Sequence, residues 1–566
     1  MTNLLQASMS RAWCCLLATA LATSLAPAAP ADVPIGHADY TPSPQQPIGW
    51  MGDGSANYVG AKPPTEWDEA SGKNIRWMIE MPMPSNAQPI VVGNRVFALA
   101  DPDVLMCVDA DSGKVLWQRQ CLREIFPQLK DKPDADLATI RKAFIDALDA
   151  NYHIYQGGVL NDEGKQLQVS WRTDWEKWAA PLPSNKILQQ RVASLQKKHP
   201  VILSAVNKGE TNHRTFATDE LLKAAGLPMG NESEDFNWYT TTFVPPVSDG
   251  KLVYARFLFD TVVAFDLQGN HQWTWNGDTV RRARSNMGIS TNPMILHENR
   301  LWVPTRSGIS ILDVATGKQV QSLDKNHPAL KGRTWNTGDA GQILTPFTMK
   351  GERYFLVTQR HALPWVVRAR DAEPINQVKS GVSPTATGAY VVGDVLYGSR
   401  MGYGSKGNSG VWACRIEQAA DGTFSLKELW YASREDFKVA PQMVNGMKNV
   451  KRVEPALTWR GICVAGDRIF ACRDSQEVLQ FSTADGTILD FCKSELVKCP
   501  HTNEPIVAGD YVFVPTWSGF TSVFEAKTGK LLGANKTEPN HGSAITAHGN
   551  RLYMRGFYHL YCIGEK

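Results

Sequence analysis

Asp109-Ala-Asp-Ser-Gly113-Lys-Val-Leu-Trp117 is the stretch of this 566-residue chain that decides its fold. The apolar run 104–108 before it predicts one strand, and the residues up to Trp117 begin a second strand. Asp109 and Asp111 favour a turn, and Gly113 can adopt the positive φ that a tight turn demands. The stretch therefore predicts a β-hairpin that ends on a large ring to be buried.

The hairpin recurs along the chain inside a larger unit. Each copy opens as an apolar strand, turns at a Gly-Asp, Gly-Asn or related pair, and continues through two further strands to an outgoing one. The copies begin near Pro89, Pro246, Pro293, Pro346, Pro384, Val464, Pro505 and Ala547. The turn glycines Gly269 and Gly317 are 48 residues apart, and Gly486 and Gly529 are 43 apart. Four short strands in about 45 residues are typical of a β-propeller blade.

The two ends of the chain favour a closed ring over a linear solenoid. The last copy stops at 561–564 without an outgoing strand, and Gly72-Lys-Asn-Ile-Arg-Trp77 is an outgoing strand without an incoming one. Pairing the two would complete the last blade and remove two sheet edges. The sequence therefore predicts an all-β, eight-bladed propeller. Seven blades is the alternative, because the fourth copy has Arg370-Asp371 in place of its glycine turn.

The repeat is interrupted once, between the first and second copies. Residues 121–237 form a predicted insertion, and Asp134 to Asn151 has the apolar spacing of a helix. The predicted organisation is a signal peptide over 1–31, an N-terminal arm over 32–71, a ring-closing strand and first blade over 72–120, the partly helical insertion, and the remaining blades over 238–566. Within the arm, Gly49–Gly54 and Pro63–Trp67 predict ordered structure lying on the fold.

Composition and the N-terminus predict an exported protein. Arg11, the apolar run Ala12–Ala26 and the small residues at 29–31 are typical of a secretory signal, the alternative being an uncleaved anchor. No later run reaches about 18 apolar residues, so no transmembrane segment is expected in the mature chain. The net charge of +3 gives no argument for binding nucleic acid. We expect a monomer.

Eight cysteines follow the predicted signal. In an oxidising compartment some of them could form disulfides, and Cys463 with Cys472 and Cys492 with Cys499 are closest in sequence. The alternative is that several are small buried hydrophobic residues.

The motif Asp-Ala-x-Ser/Thr-Gly-Lys-x-x-Trp resembles the PQQ-like (pyrroloquinoline quinone-type) β-propeller repeat of secreted bacterial proteins. Its best copies are 109–117 and 526–530. The resemblance implies that the outgoing tryptophan docks between neighbouring blades and holds the ring together. The residues to which it assigns structural docking are Trp77, Trp117, Trp273 and Trp430, with the turn glycines Gly113, Gly269, Gly317 and Gly529.

The mouth of the central channel is the predicted place for a site, because the segments that lead into the innermost strands converge there. The candidate ligand-binding residues are Asn86, Asn292, Glu454, His501, Asn503, Glu504 and His541. Carboxylate and amide oxygens suit calcium, and added imidazole favours a transition metal. The alternative is that these polar groups line a water-filled channel and satisfy loose backbone groups.

The resemblance reaches proteins of two kinds, assembly scaffolds and quinoprotein alcohol dehydrogenases. The dehydrogenases bind PQQ with calcium and usually carry a disulfide between adjacent cysteines. Past the predicted signal this sequence has no adjacent cysteine pair, and no catalytic residue carries over. We therefore expect a binding or scaffold module whose protein or small-molecule ligand is unknown. A PQQ- or metal-dependent oxidoreductase is the alternative.

Overall fold

The computed structural model describes most of the chain from residue 33 onwards. The described residues are 33–153, 183–184, 190, 224, 226, 244–277, 293–305, 308–324, 326–330, 343–359, 362–378, 389–400, 410–433, 459–473, 477–493, 503–516, 519–538 and 543–565. Within them the strands form eight sheets, each built on four antiparallel strands, which are consecutive in the chain in all sheets but one. The predicted eight-bladed β-propeller is confirmed, and the seven-bladed alternative is wrong.

The first four blades run from the inside of the ring outwards as simple meanders. Blade 1 is β3 (Ile90–Val92), β4 (Arg95–Ala100), β5 (Val104–Asp109) and β6 (Val115–Gln120). Blade 2 is β7 (Val247–Ser248), β8 (Leu252–Arg256), β9 (Val262–Asp266) and β10 (His271–Trp275). Blade 3 is β11 (Ile295–His297), β12 (Arg300–Thr305), β13 (Gly308–Asp313) and β14 (Gln319–Asp324). Blade 4 is β15 (Ile343–Met349), β16 (Glu352–Gln359), β17 (Ala362–Arg368) and β18 (Glu373–Gln377).

The other four blades include the two that contain the N-terminal strands. Blade 5 is β19 (Tyr390–Val392), β20 (Val395–Arg400), β21 (Gly410–Gln418) and β22 (Phe424–Ser433). Blade 6 is β23 (Trp459–Ala465), β24 (Arg468–Arg473), β25 (Glu477–Ser482) and β26 (Ile488–Lys493). Blade 7 is β27 (Ile506–Ala508), β28 (Tyr511–Pro515), β29 (Phe520–Glu525) and β30 (Leu531–Lys536), with β1 (Asn57–Tyr58) added inside it. Blade 8 is β31 (Thr546–His548), β32 (Arg551–Arg555), β33 (His559–Ile563) and β2 (Ile75–Glu80).

Blade 8 closes the ring with a strand from the start of the chain. β2 pairs antiparallel with β33, and Trp77 lies opposite Cys562. The N–H of Gly564 also donates to the carbonyl of Asn74 at 3.0 Å. The first and last parts of the propeller in the sequence are therefore hydrogen-bonded to each other in one sheet, and neither leaves a free sheet edge.

The fourth repeat forms a complete blade although its turn glycine is missing. Ala372 takes the left-handed conformation at this turn, with φ of 57°. The Asp371 carboxylate accepts hydrogen bonds from the guanidinium of Arg368 at 2.7 to 3.0 Å. A non-glycine residue at positive φ is strained by its Cβ, and the Arg368–Asp371 contact holds the turn in this shape.

The segment after blade 1 starts with two helices. They are α1 (Leu122–Ile125) and α2 (Asp134–His153), with a 3₁₀ turn at Pro127–Leu129 between them. Two further 3₁₀ turns lie at Leu258–Asp260 and Pro328–Leu330. No helix among the described residues is long and apolar enough to cross a membrane.

Candidate functional site

The propeller has two faces, which differ in the connections between strands that lie there. In each blade the innermost strand leads through a short turn, which contains a glycine except in blade 3, to the second strand. In blades 1 to 7 the third strand leads through a second turn to the outermost strand. Because the strands alternate in direction, these turns lie at one end of the ring, here called the turn face. The opposite end, where the innermost strands begin and where α1 and α2 follow β6, is here called the loop face.

The predicted docking tryptophans lie at the turn face, where each contacts the next blade. Each indole N–H donates to a backbone carbonyl in the third-to-fourth-strand turn of that blade. The pairs are Trp77 with Ala110 at 3.0 Å, Trp117 with Leu267 at 3.0 Å, Trp273 with Val314 at 2.8 Å and Trp430 with Thr483 at 3.0 Å.

The turn glycines are required by the same contacts. A Cβ on Gly113, Gly269 or Gly317 would lie 2.8, 2.7 or 2.5 Å from the ring of the docked tryptophan, and all three residues have positive φ. Gly529 differs, because it faces Gln480, whose side-chain amide donates to its carbonyl at 2.7 Å. The glycine turn is thus a socket for a side chain of the preceding blade, and that side chain is not always tryptophan.

Three of the seven channel-mouth candidates lie among the described residues. Asn86 precedes β3, while Asn503 and Glu504 precede β27, and all three are buried. The side-chain amide of Asn503 donates to the carbonyl of Ser543 at 3.2 Å, which ties blade 7 to blade 8. Asn292, Glu454, His501 and His541 lie outside the described residues. The described candidates therefore come from blades 1 and 7, on either side of blade 8.

One mouth residue was missed by the sequence reasoning. Tyr390 begins β19 of blade 5, and its hydroxyl is buried without a hydrogen-bond partner. Burial, followed by the charge of Glu504, raises the pKa of this phenol. Gly461 of blade 6 packs closely on Glu504, since a Cβ there would lie 3.1 Å from its Cα and Cγ. An aromatic residue in an inner strand has the composition of ordinary core, so no sequence pattern distinguishes it.

Part of the N-terminal arm lies inside the channel. Its strand β1 pairs in parallel with β27, the innermost strand of blade 7. Ile48 forms a bridge with Ser248 of blade 2, and the ring of Trp50 stacks on Tyr390 of blade 5 with centroids 6.4 Å apart. The arm therefore contacts inner strands on opposite sides of the ring. The sequence predicted an ordered arm lying on the fold, without this position.

Gln88 fixes the arm at the loop-face end of the channel. Its carbonyl oxygen accepts the N–H of Met51 at 2.9 Å. Its amide donates to the hydroxyl of Tyr58 at 3.0 Å and to the carbonyl of Ile545 at 3.0 Å. Met51 and Tyr58 are fully buried and belong to one apolar cluster with residues of blades 5 to 8. The described part of the channel is thus filled by the chain's own side chains.

The arm is also held at the turn face. The N–H of Gly549 donates to the carbonyl of Gly36 at 2.6 Å, and the N–H of Lys62 donates to the carbonyl of Gly549 at 2.7 Å. A Cβ on Gly250 would lie 2.0 Å from the carbonyl oxygen of Pro42. The arm enters from the turn face and reaches the level of Gln88, so it occupies the length of the inner strands.

The inserted segment is anchored at the loop face by a buried ion pair. The carboxylate of Asp103, in the β4–β5 connection, accepts hydrogen bonds from Nη2 and Nε of Arg141 in α2 at 2.9 and 3.0 Å. It also accepts the N–H of Leu122, the first residue of α1, at 3.0 Å. Asp103 is fully buried, so the loss of Arg141 would leave an uncompensated charge.

The described cysteines do not form disulfides. Cys107, Cys121, Cys414, Cys463, Cys472, Cys492 and Cys562 are all free and buried. Cys463 and Cys472 lie on the paired strands β23 and β24 without a bond between them, and Cys499 is outside the described residues. No group of three or more potential metal-ligating His, Cys, Asp or Glu side chains occurs in the described part of the chain.

Comparisons with known proteins agree with the class that the fold defines, a β-propeller of PQQ-like repeats. A family model described as outer membrane protein assembly factor BamB matches residues 64–152, which bears out the predicted resemblance. Two solved structures are similar to this chain. BamB from Moraxella catarrhalis is 14% identical with a TM-score of 0.38, and the alignment covers 56% of this chain and 80% of that one.

The second structure is quinohemoprotein alcohol dehydrogenase from Comamonas testosteroni. It is 11% identical with a TM-score of 0.46, and the alignment covers 92% of this chain and 81% of that one. No curated protein matches the sequence.

Proposed function

We propose that this chain is an exported binding or scaffold module that presents its loop face to a partner. The observation that carries the proposal is the position of the arm. Because residues 48–58 fill the channel between the inner strands, the axis of the ring is used for the chain's own stability. The loop face, where the inserted segment is anchored through Asp103 and Arg141, remains as the surface on which the chain differs from a plain ring of repeats.

The alternative, a quinoprotein-type oxidoreductase, fits the described channel less well. A planar quinone on the ring axis would need a slot between the inner strands. At that level the space is taken by Met51, Ala56 and Tyr58, each fully buried. Glu504 and the buried hydroxyl of Tyr390 at the mouth are the features that favour a small polar ligand there.

Calorimetric titration of the mature protein with PQQ, with and without calcium, separates the two functions. We expect neither heat of binding nor a shift of the melting temperature. Saturable binding at about micromolar affinity would contradict the scaffold proposal. Glu504→Gln is the matched variant in that case, because loss of binding in it would place the ligand at the mouth.

The choice of face is tested by photo-crosslinking at two exposed positions, one in the inserted segment and one on blade 1. Gln128 follows β6 on the loop face, and Lys114 lies in the β5–β6 turn on the turn face. A crosslinking amino acid at either position is introduced into the full chain in the producing cell. We expect a discrete crosslinked species from position 128 and none from position 114. The reverse pattern, or no adduct at either position, would overturn the proposal.

A further inference from the structure

Glu69 joins three parts of the chain that are far apart in sequence. It belongs to the N-terminal arm and is almost completely buried. Its Oε1 accepts the N–H of Ser184, from the inserted segment, at 2.9 Å. Its Oε2 accepts the hydroxyl of Tyr561, from β33 of blade 8, at 2.9 Å. One carboxyl group therefore holds the arm, the inserted segment and the ring together.

A second buried carboxylate continues the network. The hydroxyl of Tyr561 accepts the N–H of Glu538, the residue two beyond β30, at 3.3 Å. Oε2 of Glu538 accepts the N–H groups of Tyr558 and His559 at 3.0 and 2.9 Å and lies 3.1 Å from Nδ1 of His559. Its other oxygen has no hydrogen-bond partner. One phenol thus links the carboxyl group of Glu69 to the backbone of Glu538, away from water.

Further charged groups face this cluster from the surrounding strands. Arg555 of β32 is fully buried and donates to the carbonyls of Met83 and His559 at 3.1 and 3.2 Å. Burial lowers its pKa to about 10, and Glu538 and Asp101 oppose that shift. The charge of Glu80, at the end of β2, contributes to raising the pKa of His559. The cluster therefore holds four carboxyl groups, one imidazole and one guanidinium.

We propose that this cluster, the Glu69 clasp, fastens the arm and the inserted segment to the ring and loosens as the pH rises. The clasp lies between blades 7 and 8. Its residues Ser184, Glu69 and Glu538 belong to the inserted segment, the arm and the segment after β30. Its opening would free the part of the arm next to β2 from blade 8 and from Ser184, whereas the Asp103–Arg141 pair would still hold α2 to blade 1. The proposal is independent of the ligand at the channel mouth.

The direction of the pH dependence follows from two groups. Burial raises the pKa of Glu69 above its ordinary 4.5. Burial alone would lower the pKa of His559, but its hydrogen bond and ion pair with Glu538 raise it above 6.5. A group whose pKa is raised by folding stabilises the folded state below its unfolded pKa and loses that effect as pH rises through the folded pKa. Both groups therefore weaken the clasp from mildly acidic to alkaline pH.

Hydrogen exchange on the mature protein, corrected for the intrinsic rate at each pH, tests the clasp. We expect the opening constant of residues 63–71 to be several-fold larger at about pH 8.5 than at about pH 5.5, because both groups lose their stabilising effect as the pH rises. Residues 90–109 of blade 1 should show no such change. A pH-dependent opening in other blades, or no pH-dependent opening, would overturn the proposal. The measurement uses the unmutated protein, so its result does not depend on whether a variant folds.

Glu69→Gln and Asp103→Asn separate the clasp from the other anchor. Glu69→Gln removes a titrating group, so we expect the pH dependence of residues 63–71 to shrink by at least half. Asp103→Asn should increase exchange in α2 equally at both pH values and leave the arm unchanged. An arm whose pH dependence persists in full in Glu69→Gln would contradict the proposal.

Discussion

The junctions between blades fall into two groups that close the same ring by different means. Four junctions use the repeat tryptophan, whose indole donates to the turn of the next blade. The positions equivalent to the tryptophan in the other blades, each beside the bulge in its outermost strand, are Gln321, Asn376, Asp490 and Gly533.

In the second group of junctions, side-chain hydrogen bonds or another part of the chain take the place of the tryptophan side chain. Gln321 donates to the carbonyl of Ala372 at 3.3 Å, and Asn376 bonds both backbone groups of Phe424 at 2.9 Å. Between blades 6 and 7, Gln480 donates to the carbonyl of Gly529. A repeat therefore specifies the geometry of the junction more strictly than its chemistry.

The junction between blades 7 and 8 is closed by the arm. In the blades that have the tryptophan, its ring packs against an aromatic residue of the second strand, such as Phe97 with Trp117. Blade 7 has Phe513 at this place, and Trp67 of the arm stacks on it with centroids 6.3 Å apart. The backbone N–H of Trp67 donates to the side chain of Asn535 at 2.9 Å. The arm thus supplies from outside the repeat the ring that Gly533 lacks.

Trp273→Ala is expected to have the largest effect on this comparison. The residue is buried, and its removal leaves a cavity and an unpaired carbonyl at Val314. We expect a loss of about 3–5 kcal/mol in the free energy of unfolding, measured by urea titration. Leu532→Ala, at an exposed position of an outermost strand, is the control and should cost less than about 0.5 kcal/mol. A similar loss in both variants would mean that the docked ring does not carry the junction.

Gly317→Ala tests the socket rather than the ring. A Cβ would lie 2.5 Å from the Trp273 ring, and the backbone φ is 68°. We expect a loss of about 2–4 kcal/mol, from left-handed strain and overpacking together. Gly422→Ala isolates the first cause, because its φ is also positive but its Cβ would meet open space. Equal losses for both substitutions would show that close approach of the tryptophan contributes nothing.

Trp273→Phe and Trp67→Phe compare the two kinds of docking directly. The indole N–H of Trp67 has no hydrogen-bond partner, whereas that of Trp273 donates to a carbonyl. We expect Trp273→Phe to cost about 1–2 kcal/mol more than Trp67→Phe in the same urea titration, since a buried carbonyl is left unpaired. A larger loss in Trp67→Phe would mean that the arm ring is held by more than its stacking on Phe513.

Much of the ring could be predicted from sequence because the hairpin and its turn are local. The blade period follows from the spacing of Gly269 and Gly317, and the ring closure follows from the outgoing strand at Gly72–Trp77. The arm in the channel could not be predicted, because its contacts join residues far apart in sequence, such as Asn57 of the arm and Val507 of blade 7. The same holds for Glu69 and Tyr561. No pattern along one sequence links such pairs, and an inner-strand residue such as Tyr390 has the composition of ordinary core.

Gly533→Ala gives the smallest expected effect, and it has the opposite sign. Gly533 lies inside β30, its φ is not positive, and a Cβ there would meet no atom within 4 Å. Alanine loses less conformational entropy on folding than glycine does, so we expect a gain of about 0.4–1 kcal/mol in the free energy of unfolding. Gly461→Ala is the matched control, because its Cβ would press on Glu504 at 3.1 Å and should lower stability. A loss in Gly533→Ala would mean that the space is needed for Trp67, and that the glycine, like the arm, is part of how blade 7 is closed.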